Sequence, residues 1–534
     1  MEEGRRFLRS FRGFAWCLAA AVAAVYGLRV FHDNIFLDSE IMILRPEYMQ
    51  QVWLGSNRFG MVLTNRLFGL GRLVPYLSGI LMMGTMWCCG MALAFCSREW
   101  SGRSARYDAF SRLFPVLFVT MPVFAEQYLF LLQEFEIAFG ILLTIAASYC
   151  AGQAVCAGNG QSRGRTLGFG LSGLLCMVWA FGTYQIFMPL YICLVLISFL
   201  LMYMNGRADQ AFSMGIRHVL YFVLGCALYG AAVVLVRRAV HADSTYISDM
   251  VRWKADGVHV CLHAIAAQIR RVLTAGSLFH QKYYFPAMCL FTVQCMYYGW
   301  KEKKNPGNYV CFLFGGGLLL LSPFFLSFVT GGAQPVRAEL VYPAAAAVFL
   351  AHLTVPAKEY KKKTVCFPGR RTVRLMCLIC VLAAMRQGVM TVQLFQSSWE
   401  AYRNDVIAAV QMYPEICETA DTEDMSRCMV IFTGGRDAKV QGPAVRGELA
   451  GLSLFEAEAH TAVGVTGRVG TLFRILGMEM QVLQGDQKEL YWQADAFMAD
   501  SPGWPAKGSI RKMGDIVVVK LSESRLPPGT VPAG

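Results

Sequence analysis

Residues 185–204 read QIFMPLYICLVLISFLLMYM, and none of these side chains carries a charge. A helix of this length extends about 30 Å, which matches the hydrocarbon core of a bilayer. The stretch therefore predicts a membrane-spanning helix. The whole chain has the same character, because 55% of its 534 residues are hydrophobic and only 16% are charged. With a mean hydropathy of +0.42, the chain is too apolar for a soluble protein.

Ten further windows are apolar enough, and about long enough, to cross a membrane. They cover residues 14–31, 73–96, 107–125, 136–155, 166–183, 218–236, 284–300, 309–329, 340–356 and 375–396. The window 107–125 is the weakest, because its clean apolar part is short and contains two prolines. Membrane helices tolerate proline better than soluble helices do. The sequence thus predicts a polytopic α-helical membrane protein with about 11 transmembrane helices.

Lys and Arg residues are concentrated in alternate connections between these windows. The basic segments are 1–12, 97–112, 158–165, 205–217, 301–308 and 357–374. Basic residues of short loops stay on the cytoplasmic side. We therefore predict a cytoplasmic N-terminus and, with eleven spans, an extracytoplasmic C-terminus. This bias explains most of the net charge of +13, so we expect membrane lipids, and no nucleic acid, among the partners.

Two domains follow from this topology. Residues 1–396 are predicted to form a transmembrane domain with long outer loops at 32–72 and 237–283, and residues 397–534 a small extracytoplasmic α/β domain. Within the loops, residues 53–72 and 257–279 have an amphipathic pattern. That pattern predicts helices that lie on the membrane surface.

The region after residue 397 has the pattern of alternating helices and strands. Residues 397–416, with a serine at the N-cap position, and 466–479 are predicted helices, whereas residues 428–435 and 515–522 are predicted strands. Cys417 and Cys428 both fall on the outer side, where the oxidising setting permits a disulfide between them.

Asp38 and Glu40 lie in the apolar segment NIFLDSEIMI, residues 34–43, just after the first window. A carboxylate at the membrane surface is partly desolvated, which raises its pKa and makes it a better base toward a hydroxyl group. In an extended segment, residues two positions apart point the same way. The two residues are therefore candidate catalytic residues. The alternative is a pair of ordinary loop acids.

Other polar residues fall at the outer ends of predicted spans. They are Glu126, Gln127, Gln133, Glu134 and Glu136 in FAEQYLFLLQEFE, and Tyr184 and Gln185 in FGTYQIF. Polar groups at this depth are costly unless they have partners, and sugar hydroxyls are suitable partners. The alternatives are a solvated turn for the acids and an interfacial aromatic belt for the tyrosine.

Several cations fall on the same side as these acids. Arg58, His280, Lys282 and Arg337 are candidates to hold a phosphate at the headgroup level, because the guanidinium of arginine pairs with phosphate oxygens bidentately. The alternative is simple anchoring to lipid headgroups. The sequence contains no Walker, GxSxG or HExxH motif, so it gives no support for ATP hydrolysis, serine hydrolysis or zinc chemistry.

The segments NIFLDSEIMI, WLGSNRFG, EQYLFLLQEFE, FGTYQ and PVRAELVYP together resemble the bacterial type II Gtr glucosyltransferases, membrane enzymes of the GT-C superfamily. The resemblance implies a GT-C-like fold in the bacterial cell membrane and an active site that faces outward. It also implies a polyprenyl-phosphate-linked sugar as the donor and a carboxylate of the first outer loop as the catalytic residue, here Asp38 or Glu40. The resemblance does not fix the sugar, and glucose is the expected one. The chain has Asn57 where the family has a glycine before the arginine.

The mechanistic hypothesis is a single displacement with inversion. One carboxylate takes the proton of the acceptor hydroxyl on a cell-envelope glycan, while arginines neutralise the leaving phosphate. No cofactor is required, and a divalent cation is optional. The alternatives are a transporter or flippase of lipid-linked sugars and a ligase or acyltransferase of the cell envelope. A flippase needs charged residues deep in a central cavity, for which Arg386 is the one strong candidate.

Overall fold

The computed structural model of the protein describes residues 2–32, 34–155, 163–240, 249–301, 306–356, 370–422, 424–438, 445–461, 463–483 and 487–523. Parts of the basic segments 158–165, 301–308 and 357–374, and residues 241–248 of the second outer loop, lie outside these ranges.

The described residues are mostly helical. The helices are α1 (Glu2–Ser10), α2 (Arg12–Phe31), α3 (Ser39–Leu44), α4 (Pro46–Gly55), α5 (Phe59–Leu67), α6 (Pro75–Trp100), α7 (Asp108–Val119), α8 (Val123–Tyr128), α9 (Glu134–Val155), α10 (Arg163–Thr183), α11 (Phe187–Met204), α12 (Ala208–Val240), α13 (Val258–Leu273), α14 (Tyr284–Lys301), α15 (Pro306–Leu321), α16 (Phe325–Thr330), α17 (Tyr342–His352), α18 (Arg370–Ala420), α19 (Thr466–Ile475) and α20 (Lys488–Phe497). The strands are β1 (Met429–Thr433), β2 (Gln481–Val482), β3 (Ile510–Met513) and β4 (Ile516–Lys520).

Eight helical segments among the described residues are long and apolar enough to cross a membrane. They are α2, α6, α9, α10, α11, α12, the segment Pro306–Thr330 that contains α15 and α16, and α18. Each overlaps one of the windows predicted from hydropathy. The chain is therefore a helical membrane protein.

The other three windows are helical, but their helices are too short or too polar to count as membrane-spanning. In 107–125 the chain breaks between α7 and α8 at Pro122. Tyrosines, Gln294 and Lys301 lower the hydropathy of α14. Helix α17 has only 11 residues, all of them buried by neighbouring helices. The count of about 11 spanning helices is thus not confirmed.

The first long loop does not contain the single helix predicted for 53–72, and that prediction is wrong. The segment divides into α4 and α5 at Asn57, whose φ of 62° lies in the left-handed region. Asparagine tolerates this conformation better than most residues. In the second loop, α13 confirms the predicted helix, with Ile265 buried and Val260 exposed.

Helix α18 continues from the last spanning segment into the C-terminal region. It has 51 residues and crosses position 396 without a break. The prediction that a separate helix begins at Ser397 is therefore wrong. The Ser397 hydroxyl accepts a hydrogen bond from the Val445 N–H at 3.2 Å, outside the helix, and therefore does not cap it. The sequence between Gly388 and Pro414 contains no glycine or proline that could interrupt the helix.

A four-stranded sheet forms the centre of the C-terminal region, in the order β2-β1-β4-β3. Strand β1 is parallel to β2 and β4, and β3 is antiparallel to β4. Phe432 and Phe473 pack between the sheet and α19 on one face, and Ile431 packs near Tyr491 of α20 on the other. The strands predicted at 428–435 and 515–522 and the helix at 466–479 are confirmed. Cys417 and Cys428 are free cysteines.

Candidate functional site

A cavity of about 720 Å³ lies beneath the first loop. Five segments that are distant in the sequence line it: the first loop, the turn between α8 and α9, the α10–α11 turn, residues 250–251 of the second outer loop and the segment from α16 to Ala338. Its lining includes ten polar residues, Asp38, Gln51, Ser56, Arg58, Gln133, Tyr184, Gln185, Thr330, Gln334 and Arg337, and apolar residues such as Val52, Trp53, Phe130, Leu132, Ile186, Leu326 and Val329. The structure thus brings together six of the residues predicted for the site, Asp38, Arg58, Gln133, Tyr184, Gln185 and Arg337.

Asp38 lies immediately before α3 with a φ of 65°. Asp and Asn are enriched among non-glycine residues in this left-handed region. The backbone here turns the Asp38 side chain toward the cavity, where it stays 42% exposed. One oxygen accepts a hydrogen bond from Nη2 of Arg468 at 3.1 Å. The second oxygen therefore remains available to a ligand.

Glu40 does not lie beside Asp38 in the cavity, and the extended segment that would have aligned them is absent. Glu40 is in the first turn of α3 and is fully buried. Its Oε1 accepts a hydrogen bond from Nη1 of Arg468 at 2.5 Å. Burial raises the pKa of Glu40, although Arg468 opposes the shift. Both carboxylates therefore contact one guanidinium, but only Asp38 reaches the cavity.

Arg58 is set by the turn that precedes α5. Its guanidinium lies over the ring of Tyr184, 4.7 Å from the ring centroid. Gln185 fixes the same turn, because its amide donates to the Ser56 carbonyl at 3.1 Å and to the Tyr229 hydroxyl at the same distance. The left-handed Asn57 allows the turn between α4 and α5 that makes these contacts. Tyr184 and Gln185 are thus part of the cavity wall, as supports for the first loop.

Arg337 enters the cavity from the short 3₁₀ turn Val336–Ala338 and lies over Phe130, 5.3 Å from the ring centroid. It forms no ion pair with any described residue. The adjacent Glu339 is buried and binds Nε2 of His280 at 2.6 Å and Nη2 of Arg271 at 2.8 Å. This network fixes the turn that presents Arg337.

The network uses His280 as a structural group. Both ring nitrogens of His280 are occupied, by Glu339 and by Ser277 at 2.8 Å. Lys282 is exposed and does not line the cavity. The structure therefore does not bring these two candidates to Arg58 and Arg337.

The acids of FAEQYLFLLQEFE also lie away from the cavity. Glu134 forms a buried ion pair with Arg29 of α2 at 2.9 Å. Gln127 and Glu136 are buried and do not line the cavity. These positions pack the helical bundle, and the structure does not group them with a sugar site.

Glu126 joins the bundle to the C-terminal region. Its carboxylate accepts hydrogen bonds from the backbone N–H groups of Glu448, Leu449 and Ala450 at 2.8–3.1 Å. Burial raises the pKa of Glu126 to about 7, against the effect of these hydrogen bonds. Val336, next to Arg337, donates its N–H to the Glu448 carboxylate at 3.0 Å. The loop from 445 to 451 thereby docks beside the cavity.

The sequence analysis missed Arg468 and its third partner, Glu458. Nη2 of Arg468 lies 2.8 Å from Oε1 of Glu458, so the guanidinium is surrounded by three carboxylates. Arg468 is 430 positions from Asp38, and no local pattern indicates the contact. Arg29 could have been found, because a charged residue inside the apolar window 14–31 requires a partner.

No group of three His, Cys, Asp or Glu side chains that could hold a metal ion occurs in the part of the chain that the structure describes. A model of the family described as Glucosyl transferase GtrII matches residues 27–355. The match covers more than half of the chain and includes the cavity lining from Asp38 to Ala338. No curated protein and no solved structure matches the chain.

Proposed function

Because the chain belongs to the glucosyl transferase GtrII family, we propose that it moves glucose from a polyprenyl-phosphate-linked donor to a glycan of the cell envelope. Membership of the family establishes the general reaction: the protein is a membrane glycosyltransferase that acts on a sugar donor and a glycan acceptor. The lipid carrier, the acceptor and the chemical mechanism are the proposal.

The observation that carries the proposal is the lining of the large cavity. One carboxylate, Asp38, and two guanidinium groups, Arg58 and Arg337, line the same cavity. A phosphate needs cations, and arginine pairs with phosphate bidentately. The remaining lining is mostly apolar, which suits an isoprenoid chain that enters from the bilayer.

Asp38 is the proposed general base. Its carboxylate takes the proton of the acceptor hydroxyl as that oxygen attacks the anomeric carbon of the sugar. The bond between the anomeric carbon and the phosphate oxygen breaks, and its electrons stay on the polyprenyl phosphate. Arg58 and Arg337 stabilise the charge that develops there. The single displacement inverts the anomeric configuration.

The proposed topology has a cytoplasmic N-terminus, an extracytoplasmic C-terminal region and the cavity at the outer face. A reporter fused after residue 534 should then be active outside the cytoplasm, and one fused at residue 365 should be active inside. The transporter alternative gains nothing from Arg386, because this residue lies exposed on α18 and not in a central cavity.

The test uses the full chain in proteoliposomes with two labelled donors, polyprenyl-phosphate glucose and UDP-glucose. Transfer from the first donor alone, with inverted configuration in the product by NMR, is the expected result. Glycan analysis of host envelopes with and without the chain then identifies the acceptor. Movement of the labelled lipid across the bilayer without any transfer would instead favour a flippase.

A further inference from the structure

A second, smaller concavity separates the first loop from the C-terminal region. This polar groove has a volume of about 280 Å³, and its walls include Glu40, Arg45 and Tyr48 from the first loop and Glu458, Arg468 and Arg474 from the C-terminal region. Carboxylates, guanidinium groups and a phenol thus face one space. The mixture differs from the largely apolar lining of the large cavity.

Several of these groups have hydrogen-bonding capacity that no described residue uses. Oε2 of Glu40 is buried and has no hydrogen-bond partner among the described residues. Such a buried acceptor is costly when it stays unpaired. Arg45 and Arg474 are exposed and form no ion pair within the described ranges. Tyr48 is 54% exposed. The groove is therefore equipped for a ligand that both donates and accepts hydrogen bonds.

The groove and the large cavity meet at Arg468. Nη2 of this residue contacts Asp38, which lines the cavity, and Nη1 contacts Glu40, which lines the groove. One guanidinium thus separates the proposed base from the groove. A hydroxyl group bound to Arg468 in the groove would therefore lie one guanidinium away from Asp38.

We propose that the polar groove is the acceptor subsite and binds the hydroxyl-rich glycan that receives the sugar. The assignment rests on the proposed function for the identity of the reaction. Sugar hydroxyls donate and accept hydrogen bonds, which matches a wall of carboxylates and guanidinium groups, and a tyrosine ring offers an apolar face to a pyranose. An anionic lipid headgroup fits less well, because Glu40 and Glu458 offset two of the three arginines of the wall and leave little net charge to attract it.

Gly467 gives a direct test, because it lines the groove and an added Cβ would meet nothing within 4 Å. Gly467→Trp should fill the groove, whereas Gly467→Ala adds one methyl group at the same position and leaves it open. The probe is fluorescently labelled polysaccharide purified from the envelope of a host strain that lacks this chain. Its KM in transfer and its equilibrium binding without donor are both measured.

We expect Gly467→Trp to raise the KM for polysaccharide and to weaken its binding, each on the order of tenfold, since hydrogen bonds between the glycan and the groove wall would be lost. The KM for the donor should stay within about twofold, because the large cavity is unchanged, and transfer is normalised to the amount of folded protein in the membrane. Arg474→Gln should weaken polysaccharide binding in the same direction. Arg427→Ala, at an exposed arginine that does not line the groove, should have no effect.

Wild-type binding and KM for the polysaccharide in Gly467→Trp, at equal membrane abundance, would overturn the assignment. If Gly467→Trp does not accumulate, unchanged polysaccharide binding in Arg474→Gln would do the same. Weaker binding of Arg474→Gln to phosphatidylglycerol vesicles, with unchanged polysaccharide binding, would assign the groove to lipid. If the wild type binds polysaccharide through the groove but does not use polyprenyl-phosphate glucose, the donor proposal fails and the subsite stands.

Discussion

Asp38→Asn should abolish most sugar transfer and leave the fold intact. Asparagine removes the basic oxygen but keeps the shape of the side chain, and it tolerates the φ of 65° at this position. The ion pair with Arg468 is partly exposed, and Arg468 keeps Glu40 and Glu458 as partners, so its loss should cost about 1 kcal/mol of stability. A positioned base contributes roughly 10² to 10⁴ in rate, equivalent to about 3–5 kcal/mol in the barrier.

The matched control is Asp108→Asn, because Asp108 pairs with Arg98 and is 43% exposed but lines neither the cavity nor the polar groove. Transfer of labelled glucose from polyprenyl-phosphate glucose is measured in membranes that contain equal amounts of each variant. Asp108→Asn should stay within a few-fold of wild type. Retention of transfer within a few-fold in Asp38→Asn would refute the assignment of Asp38 as base. An equal loss in both variants would trace the effect to the loss of a carboxylate–arginine ion pair.

Three further predictions follow from individual contacts. Arg337→Ala should raise the KM for the polyprenyl-phosphate donor on the order of tenfold or more, since a charged hydrogen bond is lost. Arg337→Lys should raise the KM less, because lysine keeps the charge but not the bidentate geometry of the guanidinium. Equal KM values in the wild type and both variants would remove Arg337 from the site. Arg29→Met should destabilise the protein by about 3–5 kcal/mol, because it leaves Glu134 buried without its cation, and adding Glu134→Gln should recover most of this loss in thermal unfolding in detergent. Burial raises the pKa of Glu126 from 4.5 to about 7, so the folded state holds a proton that the unfolded chain releases. The contribution of Glu126 to stability should therefore be highest below about pH 4.5 and fall as the pH rises to 7. If the Tm of Glu126→Gln declines equally over this pH range, Glu126 is not the origin of the decline.

The fold class was predictable because hydropathy is a local property. Stretches such as 185–204 contain enough apolar residues to require a membrane helix wherever they pack. The count of spans was less predictable. A window such as 340–356 has the composition of a span, but α17 is short and enclosed by other helices, and enclosure cannot be read from composition. The continuity of α18 through Ser397 likewise depended on packing against the C-terminal sheet, which outweighed a local capping preference.

The candidate site was likewise predictable in part. The sequence by itself determined which polar residues are unusual, since Asp38, Arg58 and Arg337 are costly in apolar surroundings whatever their partners. Only the tertiary structure decided which of them share a cavity. Glu134 and His280 are also ionisable residues beside apolar stretches of the sequence. Nevertheless, Glu134 binds Arg29 and His280 binds Glu339, away from the cavity. Arg468 reaches Asp38 and Glu40 across more than 400 residues, because charge pairing depends on distance in space and leaves no periodic pattern along the chain.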